Sequence, residues 1–157
     1  MKHIVFDCDG TLINPRLPGK PLYSGVYELL QGLKLEGHAL YVWTGRDRAS
    51  TLRILKENQV LGLFDDFFCC DDGDRKPHSE GLRKMLPGVP KNLICVVGDT
   101  NADVLGAKHF GVTSIVALWS HEVDLASIRD LYPDFLVKDP EVCSKVITLD
   151  WKGVSDV

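Results

Sequence analysis

The sequence lacks the features of a membrane protein, of a disulfide-stabilised protein and of a protein that coats nucleic acid. No apolar run approaches the roughly 20 residues that a transmembrane helix needs. The five cysteines are odd in number and none shows the two-residue spacing of a zinc or redox pair, so we expect reduced structural thiols. The net charge of −4 at pH 7 argues against a nucleic-acid partner, because such binding needs many cations. Since the amino-terminal residues match a strand and not a signal peptide, we expect a cytoplasmic protein without a membrane partner.

Short apolar segments alternate with helical periodicity along a chain of 157 residues, which is long enough for a full hydrophobic core. The predicted strands are 2–6, 39–44, 67–69, 93–97, 114–117 and 135–137, of which 67–69 is the weakest. The predicted helices are 26–35, 49–58, 80–85, 103–110, 125–131 and 141–147. This alternation predicts an α/β fold, in which a mostly parallel central sheet lies between helices in a single Rossmann-like, three-layer domain over residues 1–157.

Polar residues that could take part in catalysis or metal binding follow four of these strands. They are Asp7, Asp9, Thr44, Lys76, Asp99 and Asp103. Because ligands bind beyond the carboxyl ends of parallel strands, we expect these side chains to converge at one edge of the sheet. Asp7 and Asp9 carry like charges that repel each other, so folding alone gives no reason for the pair. A divalent cation or a reaction on phosphate gives such a reason.

The order of these clusters resembles the signature of the haloacid dehalogenase superfamily of phosphohydrolases, over the chain from Phe6 to about Ile147. The Asp-x-Asp-Gly-Thr segment that begins at Asp7 is a strong signal by itself. A threonine at a strand end and a Lys-Pro pair are weak signals alone, but they gain weight beside the Gly-Asp-x-x-x-Asp segment that begins at Gly98. The resemblance implies a phosphatase, a hydrolase that acts on phosphoric monoesters.

The resemblance also implies a mechanism and a cofactor. Asp7 would be the nucleophile, which forms an aspartyl-phosphate intermediate, and Asp9 would be the general acid and base. A Mg²⁺ ion would be held by Asp7, by Asp99 and by the backbone carbonyl of Asp9. Asp103 would support the ion directly or through water.

The remaining residues of the signature are expected to bind the phosphorylated substrate. The resemblance implies that Thr44 and Lys76 act with the nucleophile, by stabilising negative charge on the transferring phosphoryl group. Thr11, Gly45 and Arg46 are expected to be substrate-binding residues.

The intervals between the motifs are too short for the cap domain that many members of the superfamily carry. Neither Gly10 to Thr44 nor Thr44 to Lys76 can hold a separate domain beside the predicted helices and strands. Residues 13–24, rich in proline and glycine, remain as a loop or flap near the site. We therefore expect a capless enzyme with an open site, which suits a large substrate or a small one closed off by the neighbour in a homo-oligomer.

Two branches of the superfamily have similar motifs. Residues 75–78 and 98–119 resemble the phosphoglycolate phosphatase-like branch, which is the nearest in motifs. Residues 43–47 and 72–76 resemble the phosphatase part of polynucleotide kinase/phosphatases more distantly. A polynucleotide 3′-phosphatase or a phosphoprotein phosphatase, acting on a macromolecular end, therefore stays open beside a small-molecule phosphatase.

Plainer interpretations stand beside these functional ones. Thr44 could only end a strand, Asp103 could only cap a helix, and Lys76 could be an ordinary solvated lysine. The whole chain could be a non-catalytic regulatory module that binds Mg²⁺ or phosphate, or a receiver-like signalling domain. The presence of all six signature residues favours the enzyme over the regulatory module. In a receiver domain the phospho-acceptor lies on a later strand, whereas here the Asp9-Gly10-Thr11 continuation fits a hydrolase.

Overall fold

Six strands form one parallel sheet in the computed structural model, which describes residues 1–120 and 122–151. The strands are β1 (His3–Phe6), β2 (Ala39–Trp43), β3 (Asp66–Phe68), β4 (Ile94–Gly98), β5 (Thr113–Ala117) and β6 (Phe135–Val137). Their order in the sheet is β3-β2-β1-β4-β5-β6, and every neighbouring pair is parallel. The predicted α/β fold is confirmed. The predicted domain bounds of 1–157 include residues 121 and 152–157, which lie outside the described residues.

Helices cover both faces of this sheet. They are α1 (Val26–Leu35), α2 (Arg48–Glu57), α3 (Glu80–Met85), α4 (Asn101–Phe110), α5 (Leu125–Arg129) and α6 (Pro140–Ile147). Alternate residues of β1 pack against different helical layers. Ile4 and Phe6 belong to the core cluster that includes α1 and α6, whereas Val5 belongs to the cluster that includes α3 and α4. Because both faces are covered, the strands are mostly apolar, and their polar residues lie at or near strand starts, as His3 and Asp66 do.

Helix caps account for two helix starts that the sequence pattern placed too late. Helix α4 begins at Asn101, two residues before its predicted start, because Thr100 and Asp103 form a capping box. Helix α2 begins at Arg48, one residue early, since the Asp47 side chain accepts a hydrogen bond from the Ser50 backbone N–H at 2.9 Å. Both caps follow strands whose carboxyl ends reach the candidate site.

Residues 13–24 form a loop fixed at its base and not a folded unit. Ile13 and Leu22 form an antiparallel bridge, and the Asn14 N–H donates to the Pro21 carbonyl at 2.8 Å. The Asn58 side chain accepts from the Leu22 N–H at 3.3 Å, which ties the loop to the end of α2. Within residues 1–120 and 122–151 no cap domain interrupts the core, as predicted.

Over the same described residues, no helix combines the length and the apolar character that crossing a membrane would need.

Candidate active site

The carboxyl ends of three adjacent strands bring the predicted residues together. Because β1 lies between β2 and β4, Asp7, Thr44 and Asp99 follow neighbouring strands at one edge of the sheet. A cavity of about 620 Å³ opens at this edge. Its lining residues are Asp7, Asp9, Thr44, Gly45, Arg46, Asp47, Cys70, Arg75, Lys76, Thr100 and Ala102. Most of the predicted site therefore lies around one cavity.

Three carboxylates form a buried cluster at the site. Asp7 lines the cavity, whereas Asp99 and Asp103 do not belong to its lining. Asp7, Asp99 and Asp103 each offer an oxygen within 4.8 Å of the others, and all three residues are buried. Three buried carboxylates are an oxygen ligand set of the kind that a hard divalent cation such as Mg²⁺ prefers. The side chain of Asp9 does not belong to this cluster.

The ammonium group of Lys76 pairs with two carboxylates of this cluster. Its Nζ donates to Asp7 Oδ1 at 3.0 Å and to Asp103 Oδ1 at 2.6 Å. Burial alone would lower the pKa of Lys76, but the facing carboxylates of Asp103 and Asp7 raise it above its ordinary value, so the side chain stays charged. The cluster therefore contains three carboxylates and one ammonium group, so a further cation would be attracted to it.

The pKa directions of the carboxylates agree with this charge balance. Burial raises the pKa of Asp7 well above its ordinary value, repulsion from Asp103 and Asp99 adds to the effect, and Lys76 opposes it. Burial also raises the pKa of Asp99, and its hydrogen bond with Asp7 partly opposes that rise. Burial therefore opposes the simultaneous ionisation of Asp7 and Asp99.

Backbone geometry at Gly10 makes room for one of these carboxylates. Gly10 has φ +83°, and a Cβ atom there would overlap the carboxylate of Asp99. The Asp99 Oδ1 atom also accepts a hydrogen bond from the Thr11 hydroxyl at 3.4 Å. Thr11 is fully buried and does not line the cavity. Thr11 was predicted to bind substrate, but its side chain lies outside the cavity lining, where it donates a hydrogen bond to Asp99.

Asp103 combines the two interpretations that the sequence left open. Its Oδ2 accepts from the Thr100 hydroxyl at 2.8 Å and from the Thr100 N–H at 3.1 Å, which caps helix α4. Its Oδ1 faces Lys76 and the other carboxylates. The capping hydrogen bonds therefore fix one oxygen and direct the other into the site.

Thr44 and Arg46 occupy the side of the cavity next to β2. The Thr44 Oγ1 atom accepts a hydrogen bond from the Arg46 backbone N–H at 3.0 Å, so its own hydroxyl proton remains available for donation. The Arg46 guanidinium faces the Asp9 carboxylate, with Nη2 to Oδ1 at 3.0 Å. Arg46 was predicted to contact substrate, and here its side chain contacts Asp9.

Five lining residues were absent from the sequence-based site: Asp47, Cys70, Arg75, Thr100 and Ala102. All of them except Cys70 adjoin a predicted site residue in the sequence, and that adjacency was the only signal that the sequence offered. Cys8, which adjoins the predicted nucleophile, is fully buried, and burial raises the pKa of its thiol above the ordinary value. A neutral buried thiol is inert, as expected for a structural cysteine.

Comparison with known proteins assigns the chain to a family. The model of the haloacid dehalogenase-like hydrolases matches residues 19–117. The chain belongs to this family of hydrolases, as the motifs predicted. The matched range contains Thr44, Lys76, Asp99 and Asp103, and it begins after Asp7 and Asp9.

The chain is similar to pyrophosphatase PpaX of Halalkalibacterium halodurans, with 32% identity over 120 residues, which are 74% of this chain and 55% of that protein. The chain thus spans about half the length of the curated relatives that it matches. Among solved structures it is similar to the HAD hydrolase YfnB of Bacillus subtilis, described as bound to magnesium, with TM-score 0.79, 13% identity and coverage of 94% and 99% of the two chains. A structure described as a predicted phosphoglycolate phosphatase from Haemophilus somnus has TM-score 0.73 and 24% identity, with coverage of 80% and 56%. Both structures share the fold.

Proposed function

We propose that this protein is a magnesium-dependent phosphatase that hydrolyses a phosphate monoester through an aspartyl-phosphate on Asp7. The observation that carries the proposal is the buried cluster of Asp7, Asp99 and Asp103. Lys76 pairs with Asp7 and Asp103, and both Asp7 and Lys76 line the cavity. Membership of the haloacid dehalogenase-like hydrolases supports it.

The residues of the cluster fit a Mg²⁺ ion. The side chains of Asp7, Asp99 and Asp103, together with the backbone carbonyl of Asp9, would hold it. When bound, the ion would screen the repulsion between the attacking carboxylate and the phosphate and would polarise the phosphoryl oxygen. The description of the Bacillus subtilis hydrolase as bound to magnesium supports this choice of ion.

Asp7 is suited to attack phosphorus because its position is fixed. Its Oδ1 accepts hydrogen bonds from the Cys8 N–H at 2.8 Å and from Lys76 at 3.0 Å. A bond forms between a carboxylate oxygen of Asp7 and phosphorus, while the bond from phosphorus to the leaving oxygen breaks. Lys76 and the Thr44 hydroxyl would donate hydrogen bonds to the phosphoryl oxygens, where negative charge develops.

Asp9 is suited to move the protons. Its carboxylate lines the cavity beside Asp7, and 39% of the side chain is exposed, so a leaving group and a water molecule can both reach it. It would give a proton to the leaving oxygen and then take one from the water that attacks the phosphorylated Asp7. That hydrolysis releases phosphate, restores the carboxylate of Asp7 and leaves Asp9 protonated, as it was at the start of the cycle.

The substrate is proposed to be a small phosphorylated molecule. The relatives named pyrophosphatase and phosphoglycolate phosphatase support this class, and inorganic diphosphate belongs in the test panel because of the first of these names. The acidic net charge of −4 gives no support to a nucleic-acid end as substrate.

The test is release of phosphate from an aryl phosphate and from a panel of sugar phosphates, nucleotides, diphosphate, phosphopeptides and a 3′-phosphorylated oligonucleotide. Wild type and Asp7→Asn are compared with and without Mg²⁺. We expect magnesium-dependent turnover in wild type and no turnover in Asp7→Asn, which keeps the shape of the side chain. Retention of a tenth of the activity in Asp7→Asn would contradict the role of Asp7. Such a tenfold loss corresponds to only about 1.4 kcal/mol of lost transition-state stabilisation. An inactive wild type would favour a non-catalytic binding module.

A further inference from the structure

We infer that Arg46 is a positioning residue that acts on the reaction through Asp9, and that it is not primarily a contact to the substrate. The inference rests on the proposed function, in which Asp9 transfers the protons. The contact between the side chains of Arg46 and Asp9 was not predicted from the sequence. The Arg46 Nε atom lies 3.2 Å from both carboxylate oxygens of Asp9, and Nη2 lies 3.0 Å from Oδ1.

The guanidinium group of Arg46 is itself held in place. Its Nη1 donates to the Ser50 hydroxyl at 3.3 Å, and that hydroxyl donates to Asp47 Oδ1 at 2.7 Å. At the other end of the residue, the Arg46 N–H donates to Thr44, and its carbonyl accepts from the Cys70 N–H at 3.1 Å. Only 18% of the side chain is exposed. The arginine is therefore a fixed support and not a free cation at the rim.

Asp9 depends on this support. In residues 1–120 and 122–151, the hydrogen bonds to its side chain all come from Arg46. A planar guanidinium that contacts both carboxylate oxygens fixes the rotation of the carboxylate as well as its position, which a single ammonium group cannot do. Because proton transfer needs the acid or base within hydrogen-bond reach of the reacting atom, loss of this support should reduce the rate of the proton-transfer steps.

A substrate-binding role for Arg46 predicts different kinetics. An arginine that binds substrate equally well in the ground state and in the transition state raises KM when it is removed and leaves kcat unchanged. Removal of an arginine that positions Asp9 lowers kcat without raising KM. The removal also slows hydrolysis of the phosphorylated Asp7, since Asp9 activates the water in that step.

The experiment measures kcat, KM and the steady-state fraction of phosphoenzyme on an aryl phosphate for wild type, Arg46→Gln, Arg46→Lys, Asp9→Asn and the Arg46→Gln/Asp9→Asn double variant. Arg53→Gln is the matched control, because Arg53 lies exposed on α2 and outside the cavity lining. We expect Arg46→Gln to lower kcat by about 10- to 100-fold, the scale of a misplaced catalytic group, with a KM that stays the same or falls. We expect Arg46→Lys to restore less than half of the loss, and Arg53→Gln to behave as wild type.

The double variant decides between the two roles. If Arg46 acts through Asp9, adding Arg46→Gln to Asp9→Asn changes the remaining rate of phosphoenzyme formation by less than about twofold, because the effects of coupled residues are not additive. The same fold loss in both backgrounds would overturn the inference, as would a raised KM with unchanged kcat. Wild-type turnover that depends on Asp7 would still stand in those cases. An inactive wild type would instead overturn the proposed function.

Discussion

Replacing Lys76 with methionine tests whether the Lys76 ammonium group stabilises the folded protein by offsetting the repulsion among the buried carboxylates. The variant removes the ammonium group that lies 3.0 Å from Asp7 and 2.6 Å from Asp103. The three side chains are 9%, 7% and 3% exposed, so water cannot replace the lost charge. Removal of one partner from a buried ion pair costs about 3–5 kcal/mol. We expect the free energy of unfolding of the metal-free protein to fall by about that amount.

Urea denaturation of the wild type and of Lys76→Met, with and without Mg²⁺, measures this effect. A ligand present at about 100 times its Kd stabilises the folded state by about 2.7 kcal/mol, and we expect a larger gain in Lys76→Met, where the carboxylates repel one another more. Lys145→Met is the control, since its ion pair with Glu141 is 75% and 82% exposed, and such pairs contribute about 0–1 kcal/mol. A loss below about 1 kcal/mol in metal-free Lys76→Met would refute the electrostatic reasoning.

Three further predictions address the metal, the backbone and the pH dependence. A chelator should abolish turnover, and added Mg²⁺ should restore it; a rate unchanged by chelation would remove the ion from the mechanism. Gly10→Ala should lower magnesium-dependent turnover at least tenfold because its Cβ displaces the Asp99 carboxylate, whereas Gly19→Ala, with φ +76° but open space around it, should keep wild-type turnover. Burial lowers the pKa of His3 below 6.5, so the unfolded chain binds the proton more readily and stability should fall as pH drops from about 6.5 toward the lower folded pKa. Unfolding measured from pH 8 to 5 should show a weaker pH dependence in His3→Gln, and an equal dependence in both proteins would contradict this assignment.

The fold could be predicted from the sequence because both faces of the sheet are covered by helices. That burial makes the strands short and mostly apolar, and it makes parallel pairing the expected arrangement. Parallel pairing then places the residues that follow β1, β2 and β4 at one edge. Asp7, Thr44 and Asp99 are 92 residues apart at most along the chain, yet this rule alone brought them together.

Side-chain partners could not be predicted in the same way. The Arg46 to Asp9 contact joins residues 37 positions apart and depends on rotamers, which no periodicity encodes. Thr11 belongs to the motif but turns beneath the site, because the positive φ of Gly10 bends the chain toward Asp99. The start of α4 was predicted two residues late, since the pattern of apolar residues does not show which side chain caps the helix.

Detection of a phosphoryl group on Asp7 would show whether the reaction passes through an aspartyl-phosphate. Asp9→Asn would be mixed with an aryl phosphate and Mg²⁺, quenched in acid and digested with pepsin at low pH, where an acyl phosphate is stable, and the peptide that carries Asp7 would be analysed by mass spectrometry. We expect this peptide to carry a phosphoryl group that hydroxylamine removes, and we expect no phosphoryl group on it when Asp7→Asn is added. Turnover in Asp9→Asn with no phosphoryl group on this peptide, or with the group on another peptide, would contradict a mechanism through Asp7.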